Sequence, residues 1–296
     1  MYTTRMKFSR QQLLLFVVSI IAISGIVFVL LHTFHEKQTV EISPLPSLLR
    51  TATPTKKPNP GITPTPLNTI KLPIVMYHYV EYVQNPGDTL RMKLDTTPFV
   101  LNFELKALKD NSYQTYFARD IPTIFAGGNV SNQKRIILTF DDGYEDFYEN
   151  VFPLLKKYQF KATIYIIVNF IGRNGFMTQN QIQDLINSGL IEVAAHTLTH
   201  PSLSSIPIAK ARTEIFQSKQ KLEELFHIPV TTFAYPGGAY NKAVIELVKE
   251  ASYSAALTTH PGVNLLSDHL LELPRIRPGY LTISLIKSYF EKLFVK

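Results

Sequence analysis

Apolar and polar residues alternate in blocks along the chain from residue 70 onward. Seven short runs are nearly continuous in apolar residues, as expected for strands buried on both faces of a parallel sheet. These runs are residues 72–77, 135–140, 162–168, 191–195, 230–234, 254–258 and 271–276. Stretches with helical periodicity alternate with the runs; they lie near 97–109, 145–158, 179–188, 208–226, 241–250 and 282–294. The pattern predicts an α/β fold, an incomplete or distorted (β/α) barrel of about seven parallel strands.

The N-terminal region predicts one transmembrane helix before the barrel. Residues 13–31 form 19 consecutive positions without a charge, and three basic residues precede them. That length approaches the ~20 residues that cross a bilayer, and the basic flank favours a cytoplasmic N-terminus. We therefore predict a cytoplasmic tail over 1–11 and a signal anchor over 12–34 that holds the protein in the cell membrane. The alternative is a cleaved signal peptide and a secreted protein, but the run exceeds the usual length of such a segment.

A linker is predicted between the anchor and the barrel. Residues 35–69 are rich in proline and threonine, with seven prolines between positions 44 and 66. Such a segment buries too little apolar area to fold and favours an extended polyproline conformation. The expected arrangement is a catalytic domain at 70–296, monomeric, held outside the membrane in the cell envelope.

The charge distribution argues against a nucleic-acid partner. The chain has a net charge of +7. Residues 1–69 hold seven basic and two acidic groups, whereas the rest of the chain holds 23 basic and 21 acidic groups. A nucleic-acid footprint needs basic residues clustered on the folded domain itself. The absence of cysteine also excludes disulfides and thiolate metal sites.

Two motifs with chemically active side chains follow predicted strands. Thr139-Phe140-Asp141-Asp142-Gly143-Tyr144 follows one strand, and His196-Thr197-Leu198-Thr199-His200 follows another. Alone, the first is often a polar turn and the second a pair of unrelated histidines. In a (β/α) barrel, however, catalytic groups lie at the carboxyl ends of strands. Two imidazoles spaced to meet on one face of a helical turn, together with a carboxylate, then indicate a metal site with an open position for water.

His78 ends the first predicted strand, in Leu72-Pro73-Ile74-Val75-Met76-Tyr77-His78. A lone histidine at such a position is usually a core residue. Its expected layer at the carboxyl end of the barrel nevertheless makes it a catalytic candidate.

The two longer motifs together resemble those of the polysaccharide deacetylases with a NodB-homology domain, carbohydrate esterase family 4. The resemblance covers roughly residues 70–280. It implies that Asp142, His196 and His200 bind a divalent metal, with Zn²⁺ favoured, and that Asp141 is the general base.

The position of His78 resembles a circularly permuted branch of this family, which includes poly-β-1,6-N-acetylglucosamine deacetylases. Most of the family carries the catalytic acid near the C-terminus, in a Leu-x-x-His context that is missing after residue 270. In the permuted branch the equivalent strand comes first, so the resemblance implies that His78 is the general acid. His260 is the alternative, although it lies in a turn-like His-Pro-Gly.

The third family motif is altered in this chain. Phe233-Ala234-Tyr235-Pro236-Gly237-Gly238 stands where the family commonly has Arg-Pro-Pro-Tyr-Gly after a Phe. The resemblance implies an oxyanion and substrate-binding segment formed by Tyr235, Pro236 and Gly237, with the Gly237 N–H toward the oxyanion. Ala234 replaces the arginine that orients the catalytic aspartate. Arg275 is the candidate to replace that arginine.

The predicted function is metal-dependent removal of N-acetyl groups from an extracellular polysaccharide that contains N-acetylglucosamine. Alternatives within the family are an O-acetyl esterase and a peptidoglycan deacetylase. A surface-tethered protein that only binds carbohydrate is the alternative from another class. Such a binder has no need of an acid, a base and a metal site together.

Overall fold

The computed structural model describes residues 69–127 and 134–279. The predicted tail at 1–11, anchor at 12–34, nearly all of the linker at 35–69 and the helix at 282–294 lie outside these ranges. Within the described ranges, no helix has both the length and the apolar character needed to cross a membrane.

Ten strands and seven α-helices are present in the described part of the chain. The strands are β1 (Thr69–Lys71), β2 (Ile74–Tyr77), β3 (Gln114–Tyr116), β4 (Arg135–Phe140), β5 (Ala162–Ile166), β6 (Ile191–Ala195), β7 (Thr232–Ala234), β8 (Ala255–Pro261), β9 (Asn264–Leu266) and β10 (Leu273–Arg275). The helices are α1 (Thr89–Leu94), α2 (Pro98–Asp110), α3 (Ile121–Ala126), α4 (Phe152–Tyr158), α5 (Gln179–Asn187), α6 (Ile208–Phe226) and α7 (Lys242–Glu250). A π-helical turn, Phe147–Val151, precedes α4.

The predicted parallel barrel is confirmed. Seven strands pair side by side in the order β10-β8-β7-β6-β5-β4-β2, and all these pairs are parallel. The barrel nearly closes where its first and last strands meet. There Ile276 N donates to Ile74 O at 2.8 Å, and Met76 N donates to Ile276 O at 2.9 Å. The last strand therefore lies beside the first, which brings Arg275 close to the residues that follow β2.

Side-chain alternation along the strands produces two apolar layers. On β2, Val75 and Tyr77 pack outward with helix residues such as Leu101, whereas Ile74 packs inward with Ile137 of β4. Because successive side chains point to opposite faces of a strand, both faces of the sheet are buried. This explains the nearly continuous apolar runs of the sequence.

Several short elements were not predicted. β1 pairs with β9 in a separate antiparallel sheet, and β3 pairs with β4. β1, β3 and β9 have three residues each, too few to show a periodicity of two. The helix α1 buries none of its residues, so it has no apolar stripe. The sequence does not predict these elements, because an apolar periodicity arises only where one face of a helix or strand is buried.

Candidate active site

Three side chains with metal-binding atoms meet beyond the ends of β4 and β6. Oδ1 of Asp142 lies 3.4 Å from Nε2 of His196 and 3.4 Å from Nε2 of His200. The three potential ligand atoms lie within 4.8 Å of one another. Asp142 Oδ1 is buried and has no hydrogen-bond partner among the described residues, which is costly for a carboxylate oxygen. A cation between these groups would remove that cost, and two imidazoles with one carboxylate fit the ligand preferences of Zn²⁺.

The turn after β4 separates the two adjacent aspartates. Asp141 N donates to Tyr77 O at 3.0 Å, so Asp141 continues the strand pairing. Asp142 and Gly143 then adopt positive φ angles of 76° and 84°. A Cβ on Gly143 would lie 2.9 Å from Cδ1 of Ile166, so only glycine fits there without a shift. The turn directs the carboxylates of Asp141 and Asp142 to different partners.

The loop that carries the two histidines differs from the predicted helical turn. Residues 196–200 are irregular, and Thr197 and His200 have positive φ angles of 68° and 61°. His200 N donates to Oγ1 of Thr197 at 3.0 Å, which closes the loop locally. The two imidazoles still meet near Asp142, but they do so through strained backbone rather than helical spacing.

Glu214 of α6 holds this loop and was missed in the sequence. Its carboxylate accepts hydrogen bonds from Leu198 N at 2.9 Å, Thr199 N at 2.9 Å and Thr199 Oγ1 at 2.6 Å. A signal exists in retrospect, because Glu214 lies on the buried stripe of α6 beside Ile215 and Leu222. A charged residue on an apolar helix face indicates a specific polar partner.

Replacing Glu214 with glutamine is expected to weaken metal binding at His200. Glutamine can still accept from the two backbone N–H groups through its amide oxygen, but it loses the negative charge that strengthens these hydrogen bonds, so the loop would lose part of its support. Removal of such outer contacts typically costs about 10- to 100-fold in metal affinity. Competition titration with a chelator measures the change. Glu224→Gln, on the exposed side of the same helix, is the matched control, and equal affinities in both variants would contradict the role of Glu214.

His196 is oriented for metal binding by the backbone of the altered third motif. Its Nδ1 lies 2.7 Å from the carbonyl oxygen of Ala234. A carbonyl only accepts, so Nδ1 carries the proton and Nε2 presents its lone pair toward Asp142. Burial lowers the pKa of His196, but the Asp142 and Asp141 carboxylates outweigh it and raise this pKa above its ordinary value.

Arg275, the candidate to replace the arginine that is missing at Ala234, contacts Asp141 directly. Its guanidinium donates two hydrogen bonds to the Asp141 carboxylate, at 2.8 and 2.7 Å, and a third to Thr139 Oγ1 at 3.1 Å. Nε donates to Thr258 O at 2.8 Å. Arg275 is 1 % exposed. Burial alone would raise the pKa of Asp141, but Arg275 lowers it well below its ordinary value, so this carboxyl is ionised.

His78 is a second neighbour of the Asp141 carboxylate. Its Nε2 is 3.9 Å from Asp141 Oδ2, and its side chain is 16 % exposed. Burial lowers the pKa of His78, although the carboxylates of Asp141 and Asp142 act in the opposite direction. The acid and base candidates are therefore neighbours. His260, the alternative acid, is exposed and meets Tyr240 edge-on at 5.9 Å.

The three residues of the altered third motif that were predicted to bind substrate have different surroundings. Tyr235 is buried in the apolar layer, with its hydroxyl donating to Leu271 O at 2.9 Å and its ring stacked on Tyr240. Pro236 is also buried. Gly237 is exposed at φ 59°, with open space where a side chain would begin. The Tyr235 side chain therefore supports the segment by packing, and Gly237 presents its backbone at the surface.

A stack of aromatic rings borders the site on the side of Asp142 and was not predicted. Tyr144 stacks on Tyr79 at 3.9 Å and lies 5.0 Å from Phe176, and Arg91 covers the Tyr79 ring at 4.2 Å. Burial, followed by the Asp142 carboxylate, raises the pKa of Tyr144. Tyr144 is thus a neutral phenol, available as a hydrogen-bond donor near Asp142.

Comparison with known proteins agrees with this geometry. The polysaccharide deacetylase family model matches residues 128–256. The Bacillus subtilis protein YxkH, whose name assigns it to the polysaccharide deacetylases, is 31 % identical over 225 residues, which cover 75 % of this chain and 77 % of the relative. The poly-β-1,6-N-acetyl-D-glucosamine N-deacetylase of Escherichia coli K12 is 26 % identical over 244 residues. That match covers 68 % of this chain and 36 % of the relative.

Among solved structures, the deacetylase PplD of Streptococcus pyogenes, determined in complex with acetate, is similar at a TM-score of 0.67 and 28 % identity. The match covers 74 % of this chain and 98 % of PplD. IcaB of Ammonifex degensii shares the fold, at a TM-score of 0.64 and 22 % identity. With the motifs and the barrel, these likenesses show that the chain belongs to the polysaccharide deacetylase family of hydrolases.

Proposed function

We propose that this protein removes N-acetyl groups from an extracellular polysaccharide containing N-acetylglucosamine, in a metal-dependent hydrolysis that releases acetate. The observation that carries the proposal is the convergence of Asp142, His196 and His200 around a buried carboxylate oxygen that has no hydrogen-bond donor among the described residues. Next to this cluster lies a second carboxylate, Asp141, that a buried arginine keeps ionised. A protein that only binds glycans has no need of both.

Each residue has a role that follows from its contacts. A divalent metal held by the three ligands, with Zn²⁺ favoured, would activate water and polarise the acetamide carbonyl. Asp141 takes a proton from the attacking water, and Arg275 holds its carboxylate in place. His78, 3.9 Å from Asp141, delivers a proton to the amine nitrogen as the C–N bond breaks. The backbone N–H of Gly237, an exposed residue, supplies a donor for the oxyanion.

Replacing His78 with glutamine is expected to reduce kcat on acetamide substrates by about 10²- to 10⁴-fold, because the amine then leaves without a proton donor. An acetyl ester of 4-nitrophenol has a leaving group that needs no protonation, so its hydrolysis should fall much less. Acetate release from both substrates measures the difference. His260→Gln is the matched control. An equal loss on both substrates would contradict the acid role of His78.

The polymer and the location of the protein are part of the proposal. The likeness to an enzyme that acts on poly-β-1,6-N-acetylglucosamine supports that glycan as a substrate. A panel of this polymer, chitin oligomers, peptidoglycan and acetylated xylan separates N-deacetylase from O-acetyl esterase activity. Protease treatment of intact cells tests whether the domain lies outside the membrane. Cell fractionation tests the anchor at residues 12–34, and recovery of the protein free of membranes would contradict it.

A further inference from the structure

A cavity opens beside His78, and its lining includes none of the three metal ligands. It has a volume of about 360 Å³ and is lined by Met76, His78 and the segments 93–96 and 277–279. This volume lies at the lower end of the range for small-ligand pockets. The two segments follow the carboxyl ends of β2 and β10, so the cavity belongs to the catalytic end of the barrel.

Two cations line this cavity, and neither has an acidic partner in the part of the chain that the structure describes. Lys93 and Arg277 are both exposed, and neither forms an ion pair with a carboxylate anywhere in residues 69–127 or 134–279. Nearby Arg91 contrasts with them, because it pairs with Glu81 and Asp88. Unpaired cations at a concave surface attract anions.

The acidic residue in the cavity wall is already engaged. Asp95 Oδ1 accepts a hydrogen bond from the backbone N–H of Glu81 at 3.1 Å, which ties the loop before α2 to the residues after β2. A backbone bridge between Tyr79 and Asp95 fixes the same loop. With Lys93, Arg277 and Asp95 in it, the wall has a surplus of one positive charge next to the proposed catalytic acid.

The geometry points to a subsite for an anionic substituent, a carboxylate or a phosphate, on the substrate next to the acetylated sugar; this inference rests on the proposed function. His78 delivers its proton to the sugar nitrogen, so the cavity beside His78 lies on the sugar side of the scissile bond. A glycan of acetylated glucosamine alone gives Lys93 and Arg277 nothing to pair with. Deacetylated neighbours would carry positive charge and would be repelled. Among glycans that contain acetylated glucosamine, poly-β-1,6-N-acetylglucosamine included, those with an acidic substituent beside the acetylated sugar are therefore preferred.

The test compares acidic and neutral glycans of equal length on the full-length protein. The substrates are an N-acetylglucosamine oligomer with a neighbouring carboxylate sugar, its methyl ester, and a phosphorylated chitin oligomer. At low salt we expect kcat/KM for the free acid or the phosphate to exceed that for the ester by about tenfold, roughly one charge-assisted contact. If only one of the two acidic substrates has the higher kcat/KM, its acidic group is the one that the subsite binds. The ratio of kcat/KM for the acidic substrate to that for the ester should fall as the salt concentration rises, because salt screens the attraction between the charges.

Lys93→Gln and Arg277→Gln should each lower this ratio, Lys93→Arg should retain it, and Lys249→Gln on α7 is the matched control. The ratio is measured on one preparation, so a partial loss of folded enzyme cancels. Calorimetric binding of the same glycans to the Asp142→Asn protein reports the preference without turnover. Equal affinity and equal kcat/KM for acid, ester and phosphate would overturn the anionic subsite. Absence of acetate release with a retained binding preference would overturn the proposed function alone.

Discussion

The Asp142→Asn protein is expected to bind no metal at stoichiometric level and to lose about 10³-fold or more in kcat/KM. A metal ion supplies several kcal/mol of transition-state stabilisation, and each 1.36 kcal/mol corresponds to a factor of ten. Asparagine is the informative replacement because Asp142 has a φ of 76°. Asparagine tolerates this left-handed conformation, whereas alanine would add backbone strain. The loss would then report the missing carboxylate rather than a misfolded turn.

Elemental analysis of the purified protein and acetate release from a chitin oligomer measure the two effects together. Asp184→Asn is the matched control, since Asp184 is exposed on α5 and its side chain accepts only from the Tyr148 hydroxyl among the hydrogen bonds of the described residues. It should keep both metal and activity. A fully active, metal-free Asp142→Asn protein would contradict the ligand assignment.

The Arg275→Met protein is expected to lose about 3–5 kcal/mol of unfolding free energy as well as its activity. Methionine fills a similar volume, but it leaves the Asp141 carboxylate buried without its guanidinium partner. Removing one member of a buried ion pair typically costs this much, because the remaining charge stays out of water. Most domains have about 5–15 kcal/mol in total, so the variant should remain folded but unfold at much lower denaturant. Urea unfolding monitored by circular dichroism measures the difference.

A double variant separates the stability effect from the catalytic one. Arg275→Met with Asp141→Asn removes both charges, and we expect it to regain most of the lost stability while remaining inactive without its base. The exposed pair Arg212 and Glu250 provides a matched comparison. Arg212→Met should cost less than about 1 kcal/mol, as surface ion pairs usually do. If Arg275→Met were as stable as Arg212→Met, Arg275 would not be the support of Asp141.

The sequence predicted the barrel strands well because each is buried on both faces and therefore appears as a continuous apolar run. It also suggested Arg275 as a partner of Asp141, a contact that the structure contains although the two residues are 134 positions apart. That identification depended on the family resemblance and on the missing arginine at Ala234. Spacing alone does not show that β10 returns beside β2, since barrel closure is a property of the whole chain.

Other features of the site were hidden for definite physical reasons. The positive φ angles of Thr197 and His200 depend on the hydrogen bonds that Glu214 supplies from another element. The Tyr79–Tyr144 stack joins residues from two loops whose approach is set by β2 and β4. In both cases the conformation depends on a contact between residues far apart in the sequence. The local sequence around either residue does not indicate its partner.

The central claim is that Asp142, His196 and His200 hold a metal on which deacetylation depends. Its most direct test is acetate release from a chitin oligomer by the full-length protein, measured before chelation, after chelation and after addition of one equivalent of Zn²⁺. We expect activity to fall to background on metal removal, verified by elemental analysis, and to return with the added metal. Undiminished turnover by the verified metal-free protein would contradict the claim.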